Sequence, residues 1–389
     1  MTTTGYSVEA ARVRFSSLRD GRFAFFDAPG GTQVPDEVGE AIAVALRDAS
    51  GNLGAPYATG RAVEGILAGA KEDGARFLGC IPDEISFGMN MTTLNFALSR
   101  AAGRDFTAGD EVLTTELDHD GGVAPWVELA ADRGLVVRIA QATDELTVDY
   151  DDLERQLTDR TKVVAFALAS NATGTVADAG RICALAREAG AISWIDAVHY
   201  AAHEPIDVAE LGCDVLLCSP YKFCGPHLGL AYARRELAET WRPYKARPSS
   251  STPVGRRFET GTLAYELLAG FSATIAYLES LGGLPLLREY ERALGERLLE
   301  GLPGNVTLYG PRTMAGRVPT FLLNVDGVPA DEAAHRLAGR GLGVWYADNW
   351  YCVALAARLP DQSLRAGIAH YNTEAEVDRL LEELAALTG

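Results

Sequence analysis

Positive charge is scarce in this chain of 389 residues: 35 Lys and Arg stand against 53 Asp and Glu, a formal net charge of −18. The acids are spread along the chain rather than gathered in a tail. That argues against sequence-independent binding of nucleic acid, which needs a basic surface to replace counterions. No run is long and apolar enough to span a bilayer. The opening Met1 to Tyr6 has neither the basic nor the apolar region of a secretory signal. No nucleic-acid or membrane partner is therefore expected, and the expected location is the cytoplasm. The cysteines are Cys80, Cys183, Cys213, Cys218, Cys224 and Cys352; none forms a CxxC pair, and no Cys/His cluster has zinc-ligand spacing. No metal is expected, and scattered single thiols fit a reducing compartment. A GxGxxG after an early strand is missing too, and Gly30-Gly31 is too short a signal to replace it, which counts against an NAD-linked dehydrogenase.

What is present is an alternation of apolar runs with helix-like segments. Strands are expected at Val112–Thr115, Leu135–Ile139, Lys162–Ala169, Ile192–Ile195, Val215–Leu217 and Gly229–Ala233. Helices are expected between them at Gly121–Asp132, Tyr150–Leu157 and Ala179–Glu188. This order predicts a largely parallel sheet covered on both faces. After about Leu263 the pattern changes to two long helices, Tyr265–Ser280 and Leu284–Leu302. Strands at Thr320–Val325, Leu342–Trp345 and Leu364–Ala369 follow, with helices at Ala330–Gly339 and Glu374–Ala386. That is an α+β layer and a second, smaller domain. The Pro/Ser-rich stretch Arg247–Arg256 reads as an exposed loop near the boundary.

Parallel sheets bind ligands at the carboxyl ends of their strands, so the residues just past each run carry the interest. Lys222, in Ser219-Pro220-Tyr221-Lys222-Phe223, follows the run Val215–Leu217. An amine held there among aromatic side chains has a lowered pKa and attacks an aldehyde; a solvated loop lysine fits the segment equally well. Asp196 ends the run Ile192–Ile195. A carboxylate at the end of a buried strand needs a cation or donors, and a protonated pyridine nitrogen is such a partner; a helix N-cap is the plainer reading. Met91-Thr92-Thr93 opens a helical segment after the strand-like Ile85–Gly88, which suits a phosphate or simple capping. His119, after Thr115, is placed to stack on a ring or to sit at the surface between Asp118 and Asp120.

Taken together, these segments give the chain a resemblance to the class V aminotransferase family, most closely its cysteine desulfurase-like branch. Phe26-Asp27-Ala28-Pro29-Gly30-Gly31-Thr32-Gln33-Val34-Pro35 looks like the family's opening active-site loop. Thr92 and Thr93 match its phosphate cup, and Asp118-His119 with Pro125-Trp126 its stacking histidine. Ser170-Asn171, Asp196-Ala197-Val198-His199 and Ser219-Pro220-Tyr221-Lys222 match its cofactor-binding segments. Arg257–Thr262 is similar to a loop that reaches the partner subunit's phosphate, and Arg365-Ala366 with Tyr371-Asn372-Thr373 to the segment that binds a substrate α-carboxylate.

The resemblance implies an α/β, PLP-dependent aminotransferase fold of type I. Its parts would be an N-terminal segment (1–25) packing with the small domain, a large domain (26–262) with a mainly parallel seven-stranded sheet, and a smaller α+β C-terminal domain (263–389). It implies pyridoxal 5′-phosphate held on Lys222 as a Schiff base and contacted by Thr92, Thr93, His119, Asn171, Asp196, His199, Ser219 and Thr262. Lys222, His119 and Asp196 take the catalytic roles, and Arg365, Asn171 and Gly30 meet an amino-acid substrate. It also implies a homodimer with shared sites. The expected reaction is β-elimination from cysteine or an S-substituted cysteine, with transamination, decarboxylation-coupled deamination and epimerisation as alternatives.

The chain departs from the branch at three places. His199 stands where desulfurases carry Gln, and Tyr221 where they carry His. In Val344-Trp345-Tyr346-Ala347-Asp348-Asn349-Trp350-Tyr351-Cys352 the basic residue and histidines around the sulfur-accepting cysteine are missing, and the cysteine position aligns near Trp350. Cys352 reaches that position only with a shift, so it is expected to be a packing residue, with a persulfide-forming nucleophile as the alternative. Trp345, Tyr346, Trp350 and Tyr351 either line a substrate pocket or pack the small domain.

Overall fold

The computed structural model describes residues 5–247 and 249–388. Met1–Thr4 of the N-terminal segment and Pro248 of the expected exposed loop lie outside them.

Seven strands form the large sheet: β1 (Ile85–Gly88), β2 (Glu111–Thr115), β3 (Val136–Ala140), β4 (Thr161–Ala167), β5 (Ile192–Asp196), β6 (Val215–Cys218) and β7 (Gly229–Ala233). Their spatial order is β1-β7-β6-β5-β4-β2-β3. Only β7 runs against its neighbours, antiparallel to both β1 and β6; the pairs among β2 to β6 are parallel. The expected mainly parallel sheet is thus present. Both of its faces are covered, so successive residues of one strand enter different cores. Val164, Phe166, Ile195, Leu216 and Cys218 join one cluster, while Val163, Ala165, Trp194, Val215 and Leu217 join the other. This period of two with apolar residues on both sides is why the runs read as continuous in sequence.

A second sheet holds β8 (Val306–Tyr309), β9 (Thr320–Val325), β10 (Trp345–Ala347) and β11 (Ser363–Gly367) in the order β10-β11-β9-β8, all antiparallel. The helices Ala330–Gly339 and Glu374–Ala386 contribute to its own core. The expected strand Leu342–Trp345 is two pieces: Leu342–Gly343 pairs with Ala24–Phe25, and Trp345–Ala347 pairs with β11. An apolar run cannot reveal that its backbone changes partner midway. The exposed loop also ends early, because Val254 and Gly255 are buried; a Cβ at Gly255 would lie 1.9 Å from the Ile85 carbonyl oxygen.

The N-terminal segment reaches the smaller domain through Arg12, which donates to the Tyr371 carbonyl at 2.6 Å and pairs with Glu376 at 2.9 Å. Its Phe15 and Leu18 enter the large core. The helix Tyr265–Ser280, read from sequence as part of the second domain, sends Leu268, Phe271 and Ile275 into that same large core. The two cores divide along the next helix, where Leu287 packs with the first and Leu294 and Leu298 with the second. Among the described residues no single helix is long and apolar enough to cross a membrane, and no group of three or more His, Cys, Asp or Glu could hold a metal ion.

Candidate active site

Strands β1, β2, β4, β5 and β6 run the same way, so the residues that follow them collect at one edge of the sheet. There they line a cavity of about 750 Å³. Gly30, Thr92, Thr93, His119, Asn171, Asp196, His199, Ser219, Lys222 and Arg365 all face it. Thr262 does not; it borders a separate hollow of about 280 Å³ with Asn52, Lys245 and Tyr265.

Lys222 ends a short turn after β6. Its amine donates to the carbonyls of Pro29 and Gly30, the latter at 3.1 Å, and sits 4.9 Å from the Tyr221 ring centroid. No carboxylate pairs with it among the described residues. Burial, reinforced by the Arg365 charge and opposed by Asp196, lowers its pKa to about 7. The side chain is half-buried and held by two backbone carbonyls.

Asp196 closes β5. One oxygen accepts the Val198 N–H at 2.9 Å, a local turn contact; the short helix that follows has its N-cap at His199, so Asp196 is not the helix N-cap that the plainer reading expects. The other has no protein donor among the described residues. Burial pushes the carboxyl up to about 7, with nearby Asp118 adding to the shift and Lys222 opposing it. Asp118 ties the ends of β2 and β4 together by accepting from Thr115 and the Ala167 N–H.

His119 caps the helix Asp120–Arg133 through Nδ1, which accepts the Gly121 N–H at 2.9 Å. The ring proton of the neutral form is therefore on Nε2. Burial, together with Lys222 and Arg365, lowers its pKa to about 4, so the ring is neutral at ordinary pH. Tyr351 stacks on it at 5.4 Å. His199 bonds Thr320 Oγ1 at 2.7 Å, and burial keeps it neutral as well.

At the start of the helix Met91–Ala102, Asn90 caps the Thr93 N–H and Ser219 Oγ accepts the Met91 N–H. The hydroxyl and N–H of Thr92 keep no protein partner among the described residues. Asn90 was missed in the sequence although an Asn just before an apolar-periodic helix is a recognisable N-cap. His227, stacked on Tyr221 at 5.0 Å, also lines the cavity; only the Gly225-Pro226 turn before it marks the place.

Arg365 leaves β11 and is buried, yet no carboxylate pairs with it among the described residues. Among the described residues its side chain makes one hydrogen bond, to the Asn171 carbonyl at 2.8 Å. The guanidinium lies 4.1 Å from the Trp350 ring and 5.9 Å from the Trp345 ring. Trp345 packs over Gly30 so closely that a Cβ there would come within 1.9 Å of the indole. Trp345, Trp350 and Tyr351 line the cavity, whereas Tyr346 packs with the small-domain core near His335.

Cys352 is fully buried. Its thiol meets Asn171 Oδ1 at 3.0 Å, and burial pushes its pKa up to about 12.

The model of the aminotransferase class-V family matches residues 24–380. A probable cysteine desulfurase from Mycobacterium leprae is 33% identical over 98% of this chain and 96% of its own. An aminotransferase-like protein from Gibberella zeae is 30% identical over 99% of each. Among solved structures, an apo cysteine desulfurase from Thermococcus onnurineus NA1 superposes with a TM-score of 0.91 at 26% identity, covering 97% of both chains.

Proposed function

The chain belongs to the class-V aminotransferase family, and from that premise we propose that it is a pyridoxal 5′-phosphate enzyme that breaks the C–S bond of cysteine or an S-substituted cysteine by β-elimination. One observation carries the reading: Lys222, Asp196 and Arg365 face a single cavity, the last two buried and Lys222 half-buried, and among the described residues none has a counter-charge bonded to it. Three such groups are costly to keep unless a ligand completes them.

The residues fit the cofactor. Asp196 keeps one free oxygen for a protonated ring nitrogen, His119 offers a flat neutral ring, and His199 and Asn171 offer donors. The Thr92 N–H, with the hydroxyls of Thr92 and Ser219, forms an anion cradle at a helix N-terminus; the Thr93 hydroxyl donates to the Asn90 carbonyl at 3.0 Å. When bound, pyridoxal phosphate supplies an aldehyde for the lysine amine and a ring that spreads the charge left at Cα. The chain's own groups do the rest. Arg365, stacked by Trp350 and Trp345, takes the α-carboxylate as a charged fork. Lys222 would hold the cofactor through its amine and, once the substrate amine had replaced it there, would be free to receive the Cα proton. The electron pair of the Cα–H bond becomes the Cα=Cβ bond, and the thiolate leaves from Cβ. Water converts the resulting enamine to pyruvate and ammonia. No acceptor for the sulfur is needed on the protein, in keeping with the burial of Cys352.

The likeness to proteins named as cysteine desulfurases supports the choice of a sulfur-bearing amino acid. Thr262, outside this chain's own cavity, serves the partner's phosphate in a homodimer; a fully loaded, active monomer on gel filtration refutes that assignment. Incubation with cysteine and S-substituted cysteines tests the reaction. Pyruvate and ammonia support it. A keto acid with the cofactor left in its amine form points to transamination, and alanine with sulfur retained on the protein to desulfuration.

A further inference from the structure

Asn171 joins three parts of the site. Its backbone carbonyl accepts from Arg365. Its side-chain Nδ2 donates to the Trp350 carbonyl at 2.8 Å, and its Oδ1 faces the Cys352 thiol at 3.0 Å. These contacts fix the direction of the amide. A carbonyl only accepts, so Trp350 O selects Nδ2; the thiol, a donor, then takes Oδ1. One Nδ2–H remains, and Asn171 lines the cavity.

The segment that delivers these partners is strained. Trp350 and Tyr351 hold φ values of 55° and 56°, in the left-handed region that bulky residues avoid. It is pinned at several points. The Trp350 indole donates to Ser363 at 2.8 Å, the Tyr351 carbonyl accepts from Asp120 N–H, and the Cys352 N–H donates to the Asn349 carbonyl at 2.8 Å. Strain that persists under so many contacts marks a geometry the site requires.

We propose that Cys352 is a positioning residue: its thiol holds the Asn171 amide so that the free N–H points at the ring oxygen of the bound cofactor. This rests on the cofactor reading above and adds a role for a thiol that the elimination does not use. Without a donor at position 352, Oδ1 is left unpartnered and the Trp350 carbonyl alone holds the amide, so the plane of the amide loosens and the N–H loses its aim at the ring oxygen.

The readout is the visible absorption band of the holoenzyme, titrated between pH 5 and 10. A donor to an anionic oxygen favours its deprotonated form, so loss of that donor raises the midpoint. Cys352→Val keeps volume but removes the donor, and raises the midpoint by about one unit, the size of one hydrogen bond to a charged group. Cys352→Ser keeps a donor and titrates with the unsubstituted protein. Asn171→Ala reproduces the valine shift, and the double variant adds nothing to it. Lys222, Asp196, Arg365, His119, His199, His227 and Asp348 face the same space and are unchanged in every variant. If Cys352→Val does not fold, the serine and Asn171→Ala variants decide: a shift with serine, or none with Asn171→Ala, overturns the proposal. Equal midpoints for valine and serine variants overturn it too, as does a 32-dalton adduct on Cys352 after turnover with cysteine. If the unsubstituted protein gives no visible band, the cofactor reading fails and this proposal with it.

Discussion

The low pKa of Lys222 has a measurable consequence in the rate at which the apo-protein captures pyridoxal phosphate. Only the neutral amine attacks an aldehyde. With its pKa lowered from 10.5 to about 7, about half of the Lys222 amines are neutral at pH 7, against roughly one in three thousand for an ordinary lysine. The structure therefore assigns a gain on the order of a thousandfold in reactive amine. Burial is the largest cause, the Arg365 charge adds to it, and Asp196 works against it. The sign is fixed by these causes: capture is slow below the midpoint, rises with pH and levels off above it. Arg365→Leu removes a cation and moves the midpoint up; Asp196→Asn removes an anion and moves it down. Stopped-flow absorbance at several pH values measures all three proteins. A midpoint near 10 in the unsubstituted protein, or no response to Arg365→Leu, refutes the argument.

Three further outcomes are expected. Arg365→Lys keeps the charge but loses the planar fork, so KM for the amino acid rises about 10- to 100-fold while the visible band is retained; an unchanged KM counts against the carboxylate role. Asp196→Asn binds cofactor but slows turnover on the order of a hundredfold, read in single-turnover assays; full activity contradicts the assignment. Trp194, buried between Trp126 and Trp241 with its N–H bonded to Asn95 at 2.9 Å, anchors the cofactor-side core. Trp194→Ala lowers stability by about 3–5 kcal/mol in urea unfolding, and a loss below 1 kcal/mol shows that this face carries less of the fold than its packing implies.

The parts of the fold that were readable in sequence are those set by local pattern. The runs at Val163, Trp194 and Val215 are apolar on both faces and end in turns, and the residues after them, Asn171, Asp196, Ser219 and Lys222, share an edge because the strands are parallel. What local pattern does not encode is the choice of distant partner. Leu342–Trp345 looked like one strand although Gly343 and Trp345 pair with segments far apart in the chain. The helix Tyr265–Ser280 looked like part of the second domain, yet its apolar face belongs to the first core. The contact between Cys352 and Asn171 joins residues 181 apart, and Arg365 meets the Trp350 ring only once the strained segment is folded. Motif spacing located the cavity; the wiring of its wall required the tertiary structure.

Reduction of the holoenzyme with borohydride, followed by peptide mapping, tests the central claim most directly. The cofactor is predicted to be fixed to the peptide containing Lys222, and Lys222→Ala to bind none covalently. A label on another lysine, or an unchanged visible band in Lys222→Ala, contradicts the account.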